Sequence, residues 1–461
     1  MAHIRSRNLG AQAHGRRRTL CLALLGAGTV WPQIPLPAAP MSSPSRTTVQ
    51  LTLSQALRTA LEQNPRVQQS LLTLAESQDD RRSAAAALMP SVAAQAFGQR
   101  AKNNLDALIG IPTPQGPRVV GPFNWGQMGI EAKVSLFDLG LWNKWRASRH
   151  AETSARAQGG SVREEIAALV VGQYLRALRA AASVNAGQSR IELAEALAKL
   201  SENQQKQGVG TRLDTLRSQL QLQVERQRLI QAQTQRITAL AGLGRLLGLE
   251  PGTPIELMDT LAAPALPTDG FQKAYETGLA QRPELADLAA RAKATESLRQ
   301  AAQDLRLPTV VATGAYSSTG LQAQPWATTY QVSLGVRVPL FTGGLVSAQI
   351  ARAKREQARV RESQRDVRAQ VGYEIQVSQA ELEAAVHEVA VANLAVTLST
   401  EALAQAKHRF EAGVSNNIEV INAQDEVARA SDNQISALYR LNQSRADLAR
   451  ATGQLEFLFT H

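Results

Sequence analysis

The sequence predicts a mainly α-helical chain that also carries membrane β-strands. It reads as duplicated long-helix coiled-coil hairpins plus four strands, too few to close a barrel alone. Three observations predict this. The 461-residue chain repeats itself. Each copy contains one very long proline-free stretch, Leu139–Lys206 and 345–412. Before each stretch, short segments alternate apolar and polar residues at the strand period. Composition fits, because 44% hydrophobic and only 4% aromatic residues make poor material for the two or three compact cores this length allows. Rods need less.

The N-terminus comes first. Arg16, Arg17 and Arg18 precede an apolar run over 20–30, followed by Ala38 and Ala39. These are the charged, apolar and small-residue parts of a signal peptide, assigned to residues 1–40. The run is about 11 residues, short of the roughly 20 that span a bilayer as a helix, and no other window comes close. If the chain crosses a membrane, strands must do it. Cys21, the single cysteine, leaves with the signal, so disulfide and thiolate-metal chemistry are excluded.

Charge points away from nucleic acid. Five arginines and no acid lie before position 41, leaving about +6 of the formal +11 for the rest. Those cations are scattered among Gln and Glu without an aromatic-interleaved stripe, so no nucleic-acid partner is expected. His3, His14, His150, His387, His408 and His461 show no metal-ligand spacing. No catalytic set, phosphate loop, cofactor site or metal site is legible.

The repeat sets the domain order. Asn64-Pro65 matches Arg282-Pro283 and Pro90 matches Pro308, both prolines at an offset of 218. The stretch ending in Phe137 matches that ending in Phe341 at 204, and Gly208 matches Gly413 at 205. The single jump falls in a longer Pro- and Gly-rich loop of the first copy, 111–125. The first repeat is therefore 41–249, the linker 250–270 with its four prolines, and the second repeat 271–461. Each repeat opens with a helix, Leu53–Gln63 or Phe271–Gln281, and the next helix starts at a proline, where the missing donor costs nothing.

Strands are expected at about 91–100, 127–137, 309–317 and 329–341. In the second, Ile130, Ala132, Val134 and Leu136 alternate with Gly129, Glu131, Lys133 and Ser135. In the fourth, Tyr330, Val332, Leu334, Val336, Val338 and Leu340 alternate with Gln331, Ser333, Gly335 and Arg337. About 9 to 12 residues suits a tilted membrane strand. Trp125 and Trp326 at one end, and Trp142 and Trp145 past the other, read as two interfacial aromatic bands. Because a membrane barrel needs about eight strands, several chains must pool theirs.

The long helices follow. Ile375, Leu382, Val389, Val396, Leu403 and Phe410 recur every seven residues, with Val371, Ser378, Ala385, Ala392, Ser399 and Ala406 four before each. That is a coiled-coil seam over roughly 100 Å. Gly208 and Gly413 end the rods, and the chain resumes as helices over 213–249 and 418–452.

With Asn64-Pro65, Pro90, the Val-Pro-Leu-Phe-Thr-Gly-Gly stretch over 338–344, Glu-Ala-Gly-Val over 411–414 and the duplication, nearly all of the chain after the signal resembles the TolC-type outer membrane factors of Gram-negative bacteria. The resemblance implies a homotrimer with four strands per chain in a 12-stranded β-barrel in outer membrane lipid. An α-helical barrel would continue it into the periplasm. It also implies a periplasmic adaptor (membrane fusion protein) docked at the tips, and an inner-membrane pump of RND or ABC type. Gly208, Val209, Gly210, Thr211 and Leu213 resemble the first adaptor-docking tip, and Gly413, Val414, Ser415 and Ile418 the second. Glu419 and Asn422 occupy the places of the acidic pore constriction, where three Glu419 carboxylates would favour cations. Relatives latch the closed tip with a Tyr, an Arg and an Asp. Here Asp214 is kept, but Phe410 and Ser415 replace the other two, so the latch is absent or rebuilt with Arg212 or Arg217.

The expected function is a passive export duct passing small toxic molecules. The alternatives are the outlet of a type I protein secretion system and, from another class, a soluble periplasmic coiled-coil scaffold or adaptor.

Overall fold

The computed structural model describes residues 48–104, 119–263, 270–321 and 325–460, all within one unit, Arg46–His461. The signal segment with Cys21 and Trp31, the start of the long loop (111–118) and linker residues 264–269 lie outside the described residues. In chain order the elements are β1 (Val49–Leu51), α1 (Leu53–Gln63), α2 (Pro65–Ala86), β2 (Ser91–Asn104), β3 (Val119–Phe137), α3 (Leu139–Lys206), α4 (Arg212–Leu247) and β4 (Ile255–Leu257). Then come α5 (Phe271–Gln281), α6 (Pro283–Asp304), β5 (Thr309–Leu321), β6 (Ala327–Arg337), α7 (Leu345–Glu411), α8 (Asn417–Ala451) and α9 (Leu455–Thr460).

Local chemistry explains the boundaries. Thr52 and Gln55 form a capping box: Gln55 N donates to Thr52 Oγ1 at 3.3 Å and Thr52 N donates to Gln55 Oε1 at 3.0 Å. Pro65 forces Asn64 into extended backbone and ends α1. Asn64 then caps α2, accepting from Arg66 N at 2.9 Å, while its amide donates to Leu246 O at 2.8 Å. One side chain thus ends one helix, starts the next and ties both to α4. Leu51, Leu57, Val67, Ile166, Val170, Tyr174, Leu243, Leu247 and Leu455 share the largest core, where α1, α3, α4 and α9 meet. The connector is not wholly irregular. Its residues Ile255–Leu257 pair in parallel with Val49–Leu51, three residues being too short to leave a period in the sequence.

The seam on α7 packs as its heptads require. Val371, Ile375, Ser378, Leu382, Ala385, Val389, Ala392, Ala406 and Phe410 are buried, and Val396, Ser399 and Leu403 half-buried. Ala437, Leu441 and Leu448 of α8 fill the other side. At 67 residues and about 1.5 Å each, α7 is about 100 Å long. One 18-residue window of α7 reaches a mean hydropathy of 1.2, which corrects the expectation that no window beyond the N-terminus approaches a membrane span. Little of that window is buried in the chain, because the buried seam residues Val389 and Ala392 are interleaved along α7 with Val391, Leu394 and Leu398, which are exposed.

β2, β3, β5 and β6 form one antiparallel sheet in that order. The strands depart from the expected lengths. β2 runs to Asn104, β3 starts at Val119 and β5 reaches Leu321, while β6 stops at Arg337, so 338–341 is not strand. The added residues, 101–104 of β2 and 119–126 of β3, carry no apolar period, the first being mostly polar and the second broken by Gly121 and Pro122. Pro122 fits in β3 because that end pairs only with β2. The register Ile130↔Tyr316↔Tyr330 and Ala132↔Gly314↔Val332 builds one apolar face, on which Tyr330, Val332, Leu334 and Val336 are exposed. The other face is polar, with Gln127 Nε2 donating to Ser317 Oγ at 3.0 Å and Thr313 and Ser333 hydroxyls 2.6 Å apart.

The aromatic band divides between these faces. Trp326 lies over Gly126 and Gly320, which belong to the apolar face. Trp125 pairs with Gln99 and meets Phe97 edge-on at 5.1 Å, on the polar face. Trp125 therefore does not join a lipid-facing band, because a one-residue step in register changes the face.

Candidate functional site

The two hairpin turns are built alike. After α3, Gly208 adopts φ 79°, and Val209 N and Gly210 N both donate to Gln204 O at 3.0 Å. After α7, Gly413 adopts φ 73° and Val414 N donates to Arg409 O at 3.0 Å. Left-handed backbone satisfying the last carbonyls is the glycine C-cap chemistry. Thr211 then caps α4, accepting from Asp214 N at 3.2 Å. Asn416 caps α8, accepting from Glu419 N at 3.4 Å. This geometry turns Val209, Leu213, Val414 and Ile418 outward, with Val209 77% and Val414 68% exposed. Each tip thus presents apolar side chains to solvent.

Asp214, Asn422 and Glu419 sit differently. The Asp214 carboxylate accepts from the Thr211 hydroxyl at 2.5 Å, and no ion pair joins it to Arg212 or Arg217 among the described residues. Glu419 pairs with Arg409 Nε at 3.1 Å across the second hairpin. Asn422 is exposed one helical turn on. Ser415 is half-buried with its hydroxyl oxygen covered.

Four features escaped sequence reasoning. Asn417 is fully buried, and its amide donates to Asp214 O at 2.6 Å, joining the two tips. Leu197 of α3 also packs with Phe410 of α7 and Val420 of α8. Further along, the Arg190 guanidinium of α3 grips both oxygens of Asp432 of α8 at 2.9 and 3.1 Å. Beside it, Glu225 of α4, 3% exposed, accepts from Arg228 at 2.5 Å, and Arg228 reaches Asp425 of α8 at 3.5 Å. Buried charge survives only when paired, so these pairs tie the first hairpin to the second. Glu426, exposed on α8, extends the Glu419 and Asn422 row. A polar residue at a seam position is the only sequence signal Asn417 gives.

A family model described as outer membrane efflux protein matches residues 56–249 and 274–454, most of the chain, including the four-stranded sheet and both long hairpins. The chain belongs to the outer membrane efflux protein family. Protein CyaE of Bordetella pertussis is 28% identical over 338 residues, covering 71% of this chain and 70% of that protein. The alkaline protease secretion protein AprF of Pseudomonas aeruginosa is 26% identical, covering 71% and 68%. The outer membrane efflux protein BepC of Brucella suis is 26% identical, covering 72% of each. The solved structure of the outer membrane protein VceC of Vibrio cholerae superposes with a TM-score of 0.75 at 17% identity, covering 87% of this chain and 96% of that one, and so shares its fold. As an outer membrane efflux protein the chain is an export channel, with its strands in the outer membrane and its helical barrel in the periplasm. The soluble scaffold reading falls with this.

Proposed function

We propose that this chain works as a homotrimeric, passive duct that receives cargo from a periplasmic adaptor and an inner-membrane pump. The observation that carries the reading is the open sheet. β2 and β6 are edge strands in the chain, and an open edge in lipid leaves backbone groups unsatisfied. Three copies supply twelve strands, enough to close a barrel. The helices agree, because α7 carries a second apolar row that stays uncovered among the described residues. Tyr373, Val391, Leu394 and Leu398 are all more than half exposed on it, as are Leu220, Ile230 and Ile237 on α4. Large exposed apolar stripes mark interaction surfaces.

On this reading the apolar tips, Gly208, Val209, Gly210, Thr211 and Leu213 with Gly413, Val414, Ser415 and Ile418, dock the adaptor. Glu419, Asn422 and Asp214 line the narrow end. Glu426 extends their row, and the Arg409 partner lowers the net negative charge Glu419 brings to it. Residues 1–40 are a signal peptide, 41–249 and 271–461 two repeats, and 250–270 their linker.

Small toxic molecules are the first cargo reading. A secreted protein is the second, and the likeness to AprF, an alkaline protease secretion protein, favours it. A Val414→Cys variant tests the duct and sorts the cargo, since it carries a single thiol once the signal is removed. Cross-linking in intact cells should capture an adaptor, and its operon, efflux or type I secretion, names the class. Capture of no envelope protein removes the docking role.

A further inference from the structure

A basic pocket lies where α3 leaves the membrane. It is a cavity of about 450 Å³ walled by Arg146, Arg149, His150 and Thr153 of α3 and by Ala290 and Lys293 of α6. Trp142 and Trp145 stand on the membrane side, their rings 4.8 Å apart, and Arg149 lies over the Trp145 ring at 5.2 Å. Positions 142, 145, 146, 149 and 153 recur at spacings of three and four, so the tryptophans and the cations share one face of α3. Trp side chains settle at the membrane interface. Arg146 lies seven residues past the first residue of α3, about 10 Å along the axis, close to a headgroup layer about 5–8 Å thick on each side of the hydrocarbon.

The pocket's charge is uncompensated. Nearby Asp287 is held by Arg291 at 2.9 Å, Glu152 by Arg81 at 2.9 Å, and Asp304 accepts from Asn143 at 2.5 Å. Among the described residues, Arg146, Arg149 and Lys293 have no carboxylate at ion-pair distance, and all three are exposed. His150 is held below the ordinary histidine range by burial and then by Lys293, Arg146 and Arg149, as expected where positive potential accumulates.

We infer that this pocket binds the phosphate of an anionic phospholipid headgroup from the periplasmic leaflet of the outer membrane. Two guanidinium forks and an ammonium are donors matched to phosphate oxygens. The adjoining tryptophans place glycerol and acyl carbons beside apolar surface. Basic pockets at the edge of membrane segments bind anionic headgroups on the same principle.

Native mass spectrometry of the full-length, detergent-solubilised protein tests this, with phosphatidylglycerol or phosphatidylcholine added and inorganic phosphate as competitor. Removing three charges, Arg146→Gln, Arg149→Gln and Lys293→Gln together, should lower phosphatidylglycerol retention about fivefold or more. Removing three at Lys199, Arg226 and Lys407, far along the helices, should leave it unchanged. Equal retention in both triple variants overturns the inference, as does equal retention of phosphatidylcholine. Displacement by millimolar inorganic phosphate would point to a free anion and overturn the lipid assignment. Lys293→Gln alone, on the exposed rim, gives the same reading at about twofold if the triple variant fails to assemble.

Discussion

At the scale of the residue, a buried asparagine and a half-buried glutamate make opposite predictions. Asn417 satisfies the Asp214 carbonyl across the two tips, and a hydrogen bond of this kind contributes about 1 kcal/mol. Asn417→Ala should therefore loosen the tips without unfolding the chain, seen as faster hydrogen exchange over 208–214 and a larger conductance in planar bilayers. Unchanged exchange would show that the tips are held elsewhere. Glu164 is the reverse case. Burial pushes its carboxyl above the ordinary range, with Glu456 and Glu284 adding to the rise against a bond from Glu456 N. A carboxyl with a raised folded pKa binds more protons folded than unfolded, so stability falls as pH rises from the unfolded value through the folded one. Glu164→Gln should raise the melting temperature by about 2 °C near neutral pH and change little at about pH 4, as calorimetry would show. The turn glycines were legible because a chain ending a long helix needs φ > 0 there. Asn417 was not, because its partner lies 203 residues away.

At the scale of the element, the heptads made α7 readable to within a residue, since a seven-residue repeat has few other uses. The proline-free stretch bounded α3 equally well, and in the structure the Asp138 carboxylate caps it, accepting from Leu141 N at 2.9 Å, though its own seam is less regular. The strands were read short where both faces are polar, and the fourth was read too long because Val338 and Leu340 continue the apolar alternation past Arg337, where Pro339 removes a ladder donor. Where helices cross, space decides. A Cβ on Gly278 of α5 would meet Ile375 Cδ1 at 3.0 Å, and Ala451 O and Val371 Cγ1 at 3.2 Å. Gly278→Val should force α5 off α7 and α8 and cost about 1–3 kcal/mol, read as a lower heat-dissociation temperature. Ile375→Ala, fully buried at the same crossing, should cost about 2–5 kcal/mol.

At the scale of the whole molecule, the two faces of the sheet should behave differently toward charge. Val332 is 81% exposed on the apolar face, and its neighbour Gln331 points to the polar one. Val332→Arg should cost about 2–4 kcal/mol in lipid and shift the protein away from heat-modifiable oligomers in the outer membrane fraction. Gln331→Arg should insert normally and alter only ion selectivity. Similar insertion of both would deny that this sheet meets lipid.

The sequence by itself determined the duplication, the rods, the turns that end them and the alternation that needs a membrane. Each is a periodic or local property written along one segment. Only the tertiary structure decided which face Trp125 joins, how Arg190 and Asp432 tie one hairpin to the other, and that Arg146, Arg149 and Lys293 share a pocket. These depend on register and on packing between residues far apart in sequence, about which a period measured along one segment carries no information.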